Sequence, residues 1–129
     1  MATGFPALTG DVMTANMFNG LVAFTLNAQT GVTYTAVSTD QYQTLVTMSN
    51  AAANAFKIPT NASVAFAVGT VITVMNIGVG TCTISAVTPG TTTILSAGAT
   101  AASPTITQYK SAACIKTATD AWYVVGAVA

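Results

Sequence analysis

Between Lys57 and Lys110 the chain carries no charged side chain, and short apolar and β-branched runs there alternate with threonine and serine. Alternation with a period of two is the signature of a strand with one face buried. Gly and Pro interrupt the runs before any grows long, so the pattern admits many short strands and few helices. The alternation starts before this stretch and continues after it. The strands it predicts are Gly31–Val37, Gln43–Met48, Asn54–Ile58 (stopped by Pro59), Val64–Val68 and Val71–Ile77, followed by Thr81–Ala86, Thr91–Leu95, Thr105–Tyr109, Ala112–Thr117 and Trp122–Gly126. Val71–Ile77 is apolar on both faces, which predicts a central strand covered on both sides. The turn Asn76–Gly80 holds two glycines, which tolerate positive φ. Regular short strands with turn signals between them predict an all-β fold, an antiparallel β-sandwich or a jelly-roll-like barrel. Threonine suits the pleat and gives polarity without charge.

The first 30 residues read differently. Gly4–Gly10 is an extended arm. Thr14 is placed to cap a short helix through Phe24, with Met17, Phe18, Leu21, Val22 and Phe24 near helical spacing. Asn19-Gly20 weakens that helix, and it is too short to stand alone. It either docks onto a larger partner or plugs the domain's own core. The division expected is an arm and amphipathic helix over 1–30 and a β domain over 31–129.

The six charged residues, Asp11, Asp40, Lys57, Lys110, Lys116 and Asp120, make up 5% of the 129 residues, and there is no histidine. Acid–base catalysis uses paired titratable groups, and the three aspartates are isolated in sequence. Asp40 and Asp120 fall in turns, where aspartate caps backbone amides. A serine or cysteine nucleophile has only lysine for a base; Cys114 and Lys116 share a strand face, but Lys116 reads as a solubilising charge on a strand edge. No metal-ligand cluster or cofactor motif is present, so neither an enzyme nor a cofactor is expected. Three scattered lysines do not form a nucleic-acid footprint. No apolar run reaches the about 20 residues of a spanning helix, and the first residues carry no basic, apolar export signal. Cys82 and Cys114 are expected as free, buried thiols. Trp122 and Tyr123 lie on opposite faces of the last strand, one facing the core and the other an interface anchor or a sugar platform. The Thr-x-Thr runs Thr81/Thr83 and Thr105/Thr107 read as ordinary solvent-facing strand positions.

The residues from Val32 to Val125 resemble a module common in bacteriophage and prophage structural proteins. The resemblance rests on a Tyr-Thr strand before an Asp turn, on Thr44–Asn50, and on Ile58-Pro59-Thr60-Asn61-Ala62-Ser63-Val64-Ala65-Phe66. It continues through Val68–Val74, Gly78–Thr81 and Thr83-Ile84, and ends with Ile115-Lys116-Thr117, Thr119-Asp120-Ala121-Trp122 and Val125-Gly126. The opening Gly10–Ala15 with Asn19 is similar to the start of many phage appendage proteins. The resemblance implies a β-rich virion component, usually trimeric, made in the cytoplasm of a bacterial host, and it brings no catalytic residue. The β pattern fills most of the chain with no long stalk. The expected role is therefore a small capsid decoration (cement) protein. Its expected partners are further copies of itself, as a homotrimer, and the major capsid protein or other virion proteins. A tail-fibre or tail-tip module binding host glycans is the alternative. A nearly uncharged surface tends to associate. The candidate interface residues are Phe5, Met17, Phe18, Leu21, Val71, Met75, Trp122 and Tyr123.

Overall fold

The computed structural model describes residues 24–129. The expected arm and helix, with Phe5, Met17, Phe18 and Leu21, lie outside those residues. The strands, in chain order, are β1 (Thr25–Gln29), β2 (Thr33–Thr35), β3 (Thr44–Met48), β4 (Asn54–Ile58) and β5 (Val71–Asn76), then β6 (Cys82–Ala86), β7 (Thr93–Ser96), β8 (Thr105–Ile106), β9 (Lys110–Ala118) and β10 (Ala121–Gly126). A single 3₁₀ turn, Ser38–Gln41, replaces the expected turn at the same place. The protein is mostly β, with almost no helix among the described residues.

Two mixed sheets form, one of six strands in the order β1-β3-β5-β9-β10-β7 and one of four in the order β2-β4-β6-β8. From β1 to β6 the chain alternates between them. Each return to a sheet lays the new strand beside the last one and parallel to it, β1–β3–β5 in the larger sheet and β2–β4–β6 in the smaller. A parallel pair needs a long crossover connection, and here a strand of the opposite sheet forms part of it. The β9–β10 hairpin then fills the larger sheet between β5 and β7. It pairs antiparallel with β5, and β7 pairs parallel with β10. The expectation of an antiparallel architecture is thus corrected: five of the eight pairings are parallel. Alternation along a strand reports which face is buried and not which way its neighbour runs.

The inward residues of both sheets meet in one core. Val46, Met48, Ile72 and Val74 come from the larger sheet, and Phe56, Ile58, Cys82 and Ile84 from the smaller. Each of these side chains is fully buried. Complete burial of such a side chain contributes roughly 1.5–3 kcal/mol.

Three further expectations change. Residues 25–29, placed within the 1–30 arm-and-helix segment, are β1 and pair with β3 over their whole length. Val64–Val68 is not a strand. Phe66 turns inward there and meets Trp122 edge to face, with centroids 5.6 Å apart, while its carbonyl accepts a hydrogen bond from the Lys116 ammonium. Thr105–Tyr109 shortens to two paired residues, because Tyr109 adopts φ 65° and its amide bonds to the Asn76 carbonyl at 2.6 Å.

The Asn76–Gly80 turn uses its glycines for space, since neither takes positive φ. A Cβ on Gly80 would sit 2.0 Å from the Ala52 carbonyl oxygen of the preceding circuit, and one on Gly78 2.4 Å from the Asn50 nitrogen. Asn76, fully buried, holds this turn. Its Nδ2 donates to the carbonyls of Gly80 (2.8 Å) and Ile106 (2.9 Å), and its Oδ1 accepts from the Gly78 amide at 3.0 Å. Asn76→Ala removes the buried donor from the Gly80 and Ile106 carbonyls, leaves the Gly78 amide only its longer bond to the Met48 carbonyl, and is expected to cost about 2–3 kcal/mol. Chemical denaturation checks this, and a loss below about 0.5 kcal/mol would show that the turn does not depend on Asn76.

Candidate interface and polar anchors

Strand register sorts the outward side chains of the larger sheet into rows. One row runs Leu26, Leu45, Thr73, Ala113, Val125. The next runs Val71, Ile115, Tyr123, Leu95. A third places Ala28, Thr47, Met75 and Ser111 side by side. No charged residue occupies any of these positions. Leu26 is 64% exposed, Val125 51%, and Val71 and Tyr123 46% each. Two hollows lie on this face. One, of about 220 Å³, is lined by Phe24, Leu45, Thr73 and Met75. The other, of about 280 Å³, lies beside Leu95, Tyr123, Val125 and Val128.

The smaller sheet presents the opposite chemistry. Its outward rows are Thr33, Ala55, Thr83, Thr105 and Thr35, Lys57, Ser85. Lys57 donates to the Ser85 hydroxyl at 2.9 Å. One sheet therefore shows water mostly hydroxyls and an ammonium, while the other shows mostly aliphatic side chains and Tyr123, with Thr73 and Ser111 among them. Contiguous exposed apolar surface of that kind marks interaction sites, and cores of protein interfaces favour Tyr and Met and lack charge.

Val71, Met75 and Tyr123, three of the residues singled out from the sequence, lie on this one face. Trp122 does not. It is 2% exposed and points into the core against Phe66, so its candidacy as an interface or sugar-binding residue is withdrawn. Leu26, Leu45, Leu95, Ile115 and Val125 were missed. The β pattern marked most of them as strand positions, but pairing order was needed to show that they share a face with Tyr123.

Two of the charged residues, Asp40 and Lys116, are used inside. Asp40 is 2% exposed. Its Oδ2 accepts from the Tyr34 hydroxyl at 2.5 Å and the Val37 amide at 3.0 Å, and its Oδ1 accepts from Asn27 Nδ2 at 3.0 Å. It caps its own turn, as expected, and also ties β1 and β2 to it. Asp120, at φ 53° in the β9–β10 turn, reaches further than expected. Its Oδ1 accepts from the Asn61 amide at 2.7 Å and the Thr92 hydroxyl at 3.1 Å. Lys116 is not an edge charge. It lies on β9, between β5 and β10, and only 2% of it is exposed. Its Nζ donates to Asn61 Oδ1 at 2.5 Å and to the Phe66 carbonyl at 2.7 Å.

Cys82 and Cys114 are free and buried. Burial pushes the Cys82 thiol up to about 11 and that of Cys114 to about 12, so neither is an activated nucleophile. Burial, reinforced by the hydrogen bond to Asp40, pushes Tyr34 up to about 12. The described residues contain no group of His, Cys, Asp and Glu able to hold a metal ion, and no helix among them is long and apolar enough to cross a membrane. Comparison with family models, curated proteins and solved structures finds no match to this chain.

These raised values set an alkaline limit. The unfolded thiols ionise near 9.0 and the unfolded phenol near 10.0, whereas the folded groups resist to about 11–12. The stability they carry is complete below pH 9 and is lost as pH rises through that window. The urea midpoint should hold steady up to pH 9 and fall between pH 9 and 12. A flat midpoint across the window would contradict the burial of these groups.

Proposed function

We propose that this chain is a structural protein of a phage virion, a small capsid decoration protein that stabilises the shell through protein–protein contacts. The observation that carries this reading is the contrast between the two outer faces. The larger sheet offers an apolar, uncharged face six strands wide, and the smaller sheet offers a hydroxyl-rich one. A subunit placed between a shell and water would bury the first and expose the second. The sequence resemblance to phage structural modules supports the same setting. We read the two sheets as a β-sandwich, since the parallel winding does not suit an antiparallel jelly roll. The proposed partners are further copies, as a homotrimer, and the major capsid protein. The role asks for no catalysis, cofactor or nucleic acid, and its location is the virion.

The rival reading, a tail module binding host glycans, has one observation of its own. Tyr42 is 67% exposed beside a cavity of about 480 Å³ also lined by Thr25, Asn27, Thr39 and Thr44. An aromatic ring among hydroxyl and amide groups is the chemistry a sugar needs. Glycan-array binding that disappears in Tyr42→Ala would favour it.

The decoration reading predicts that purified protein binds capsids lacking a decoration protein and raises their disruption temperature. Val71→Lys and Tyr123→Lys, both at half-exposed positions, should preserve the fold. Each should weaken capsid binding by about tenfold or more through the burial of an unpaired charge. Lys57→Ala, on the opposite face, should bind as the parent does. No binding by the parent protein, or equal binding by the two lysine variants, would overturn the proposal.

A further inference from the structure

Lys116 is one of three lysines in the chain, and it is buried without a carboxylate partner: both of its hydrogen-bond acceptors are neutral oxygens. A buried ammonium with no opposite charge is a costly arrangement. The oxygen it touches at 2.5 Å belongs to the side-chain amide of Asn61, whose carbonyl carbon is therefore within reach of the lysine nitrogen. Phe66 and Trp122, whose rings meet edge to face, are neighbours of Lys116. Phe66 gives its carbonyl to Nζ, and Trp122 is the cross-strand neighbour of Lys116. Asp120 fixes the Asn61 backbone, accepting from its amide at 2.7 Å, and is itself steadied by the Thr92 hydroxyl.

We propose that Lys116 and Asn61 become joined by an intramolecular isopeptide bond, with Asp120 holding the Asn61 backbone in place. The amine form of Lys116 attacks Asn61 Cγ, forming a new C–N bond. The bond from Cγ to the side-chain nitrogen breaks, and that nitrogen leaves as ammonia. One proton passes from Nζ to the departing nitrogen. Amine plus primary amide gives secondary amide plus ammonia, and no oxidant or other reactant is required. The fold supplies proximity, which can substitute for a large part of such a barrier. The product carries no charge, so the buried ammonium is removed altogether. The link would close a loop between residues 55 positions apart, from the turn after β4 to the centre of the larger sheet. Cross-links of that span stabilise chiefly by restricting the unfolded chain. This inference stands apart from the capsid role, since it concerns the isolated chain.

Intact mass measurement of the purified full chain, denatured before analysis and followed by peptide mapping, tests the proposal. The expected mass is one ammonia below that of the sequence, with the fragments containing Asn61 and Lys116 recovered as one joined species. Lys116→Met and Asn61→Ala should each show the full mass of their own sequence. Asp120→Ala, which frees the Asn61 backbone, should slow the appearance of the joined species in freshly refolded protein while circular dichroism stays that of the parent. Recovery of the parent protein at its full sequence mass would overturn the proposal. So would an ammonia loss that persists in Lys116→Met, which would mark cyclisation of Asn61 onto its own backbone. The parent measurement decides the matter even if a variant does not fold.

Discussion

The structure depends on one constraint: every inward row of side chains, from either sheet, must end in the same core. The chain meets it by crossing from sheet to sheet, β1 through β6, so that each circuit adds one strand to both walls. Parallel pairing follows from that winding, and so does the need for turns that pass close to the circuit before. Gly78 and Gly80 sit where the Asn50–Ala52 backbone leaves no room for a Cβ. The β9–β10 hairpin then completes the larger sheet and brings Trp122 and Val124 into the core.

Within this apolar frame the few polar and charged groups act as pins. Asn76 fastens the turn after β5, Asp40 fastens the turn between β2 and β3, and Lys116 with Asp120 fastens the loop after β4. Each binds segments that no sheet ladder holds. Satisfied in this way, buried polar groups specify one arrangement of loops, whereas a missing partner is costly. The consequence at the surface is severe. Once Asp40 and Lys116 are inside, the outer face of the six-stranded sheet has no charge to keep it in water. Poverty of charge and an apolar face are thus one property seen at two levels, and both favour a protein that works covered by a neighbour.

Much of the β content was legible because burial imposes a period of two on Cys82–Ala86 and Trp122–Val124, whereas Val71–Asn76, apolar on both faces and expected to be covered on both, is fully buried on one face alone. The single-sided burial of Trp122 and Tyr123 came from the same signal. What the sequence did not reveal has physical causes. Strand direction leaves no mark on alternation, so parallel pairing stayed hidden. β1 was obscured because Leu26 and Ala28 face outward at an edge and Asn27 faces Asp40 rather than an apolar core. Val64–Val68 matched a strand in composition, but Phe66 is drawn to Trp122 and Lys116 instead. Lys116 itself looked like a solvent charge because its partners, Asn61 and Phe66, are 55 and 50 residues away. The apolar face was half visible: Val71, Met75 and Tyr123 were named, yet their neighbours are set by register across six strands.

The central claim is that the outer face of the six-stranded sheet is covered by protein when this chain works. Hydroxyl-radical footprinting of the protein free and bound to particles measures that coverage side chain by side chain. The account predicts that Met75, Leu95 and Tyr123 become strongly protected on particles, while Phe56 and Trp122, already inside, hardly change. It also predicts that the Lys57 face stays as reactive as in the free protein. Unchanged reactivity of Met75, Leu95 and Tyr123 on particles, with protection appearing on the Lys57 face instead, would contradict it.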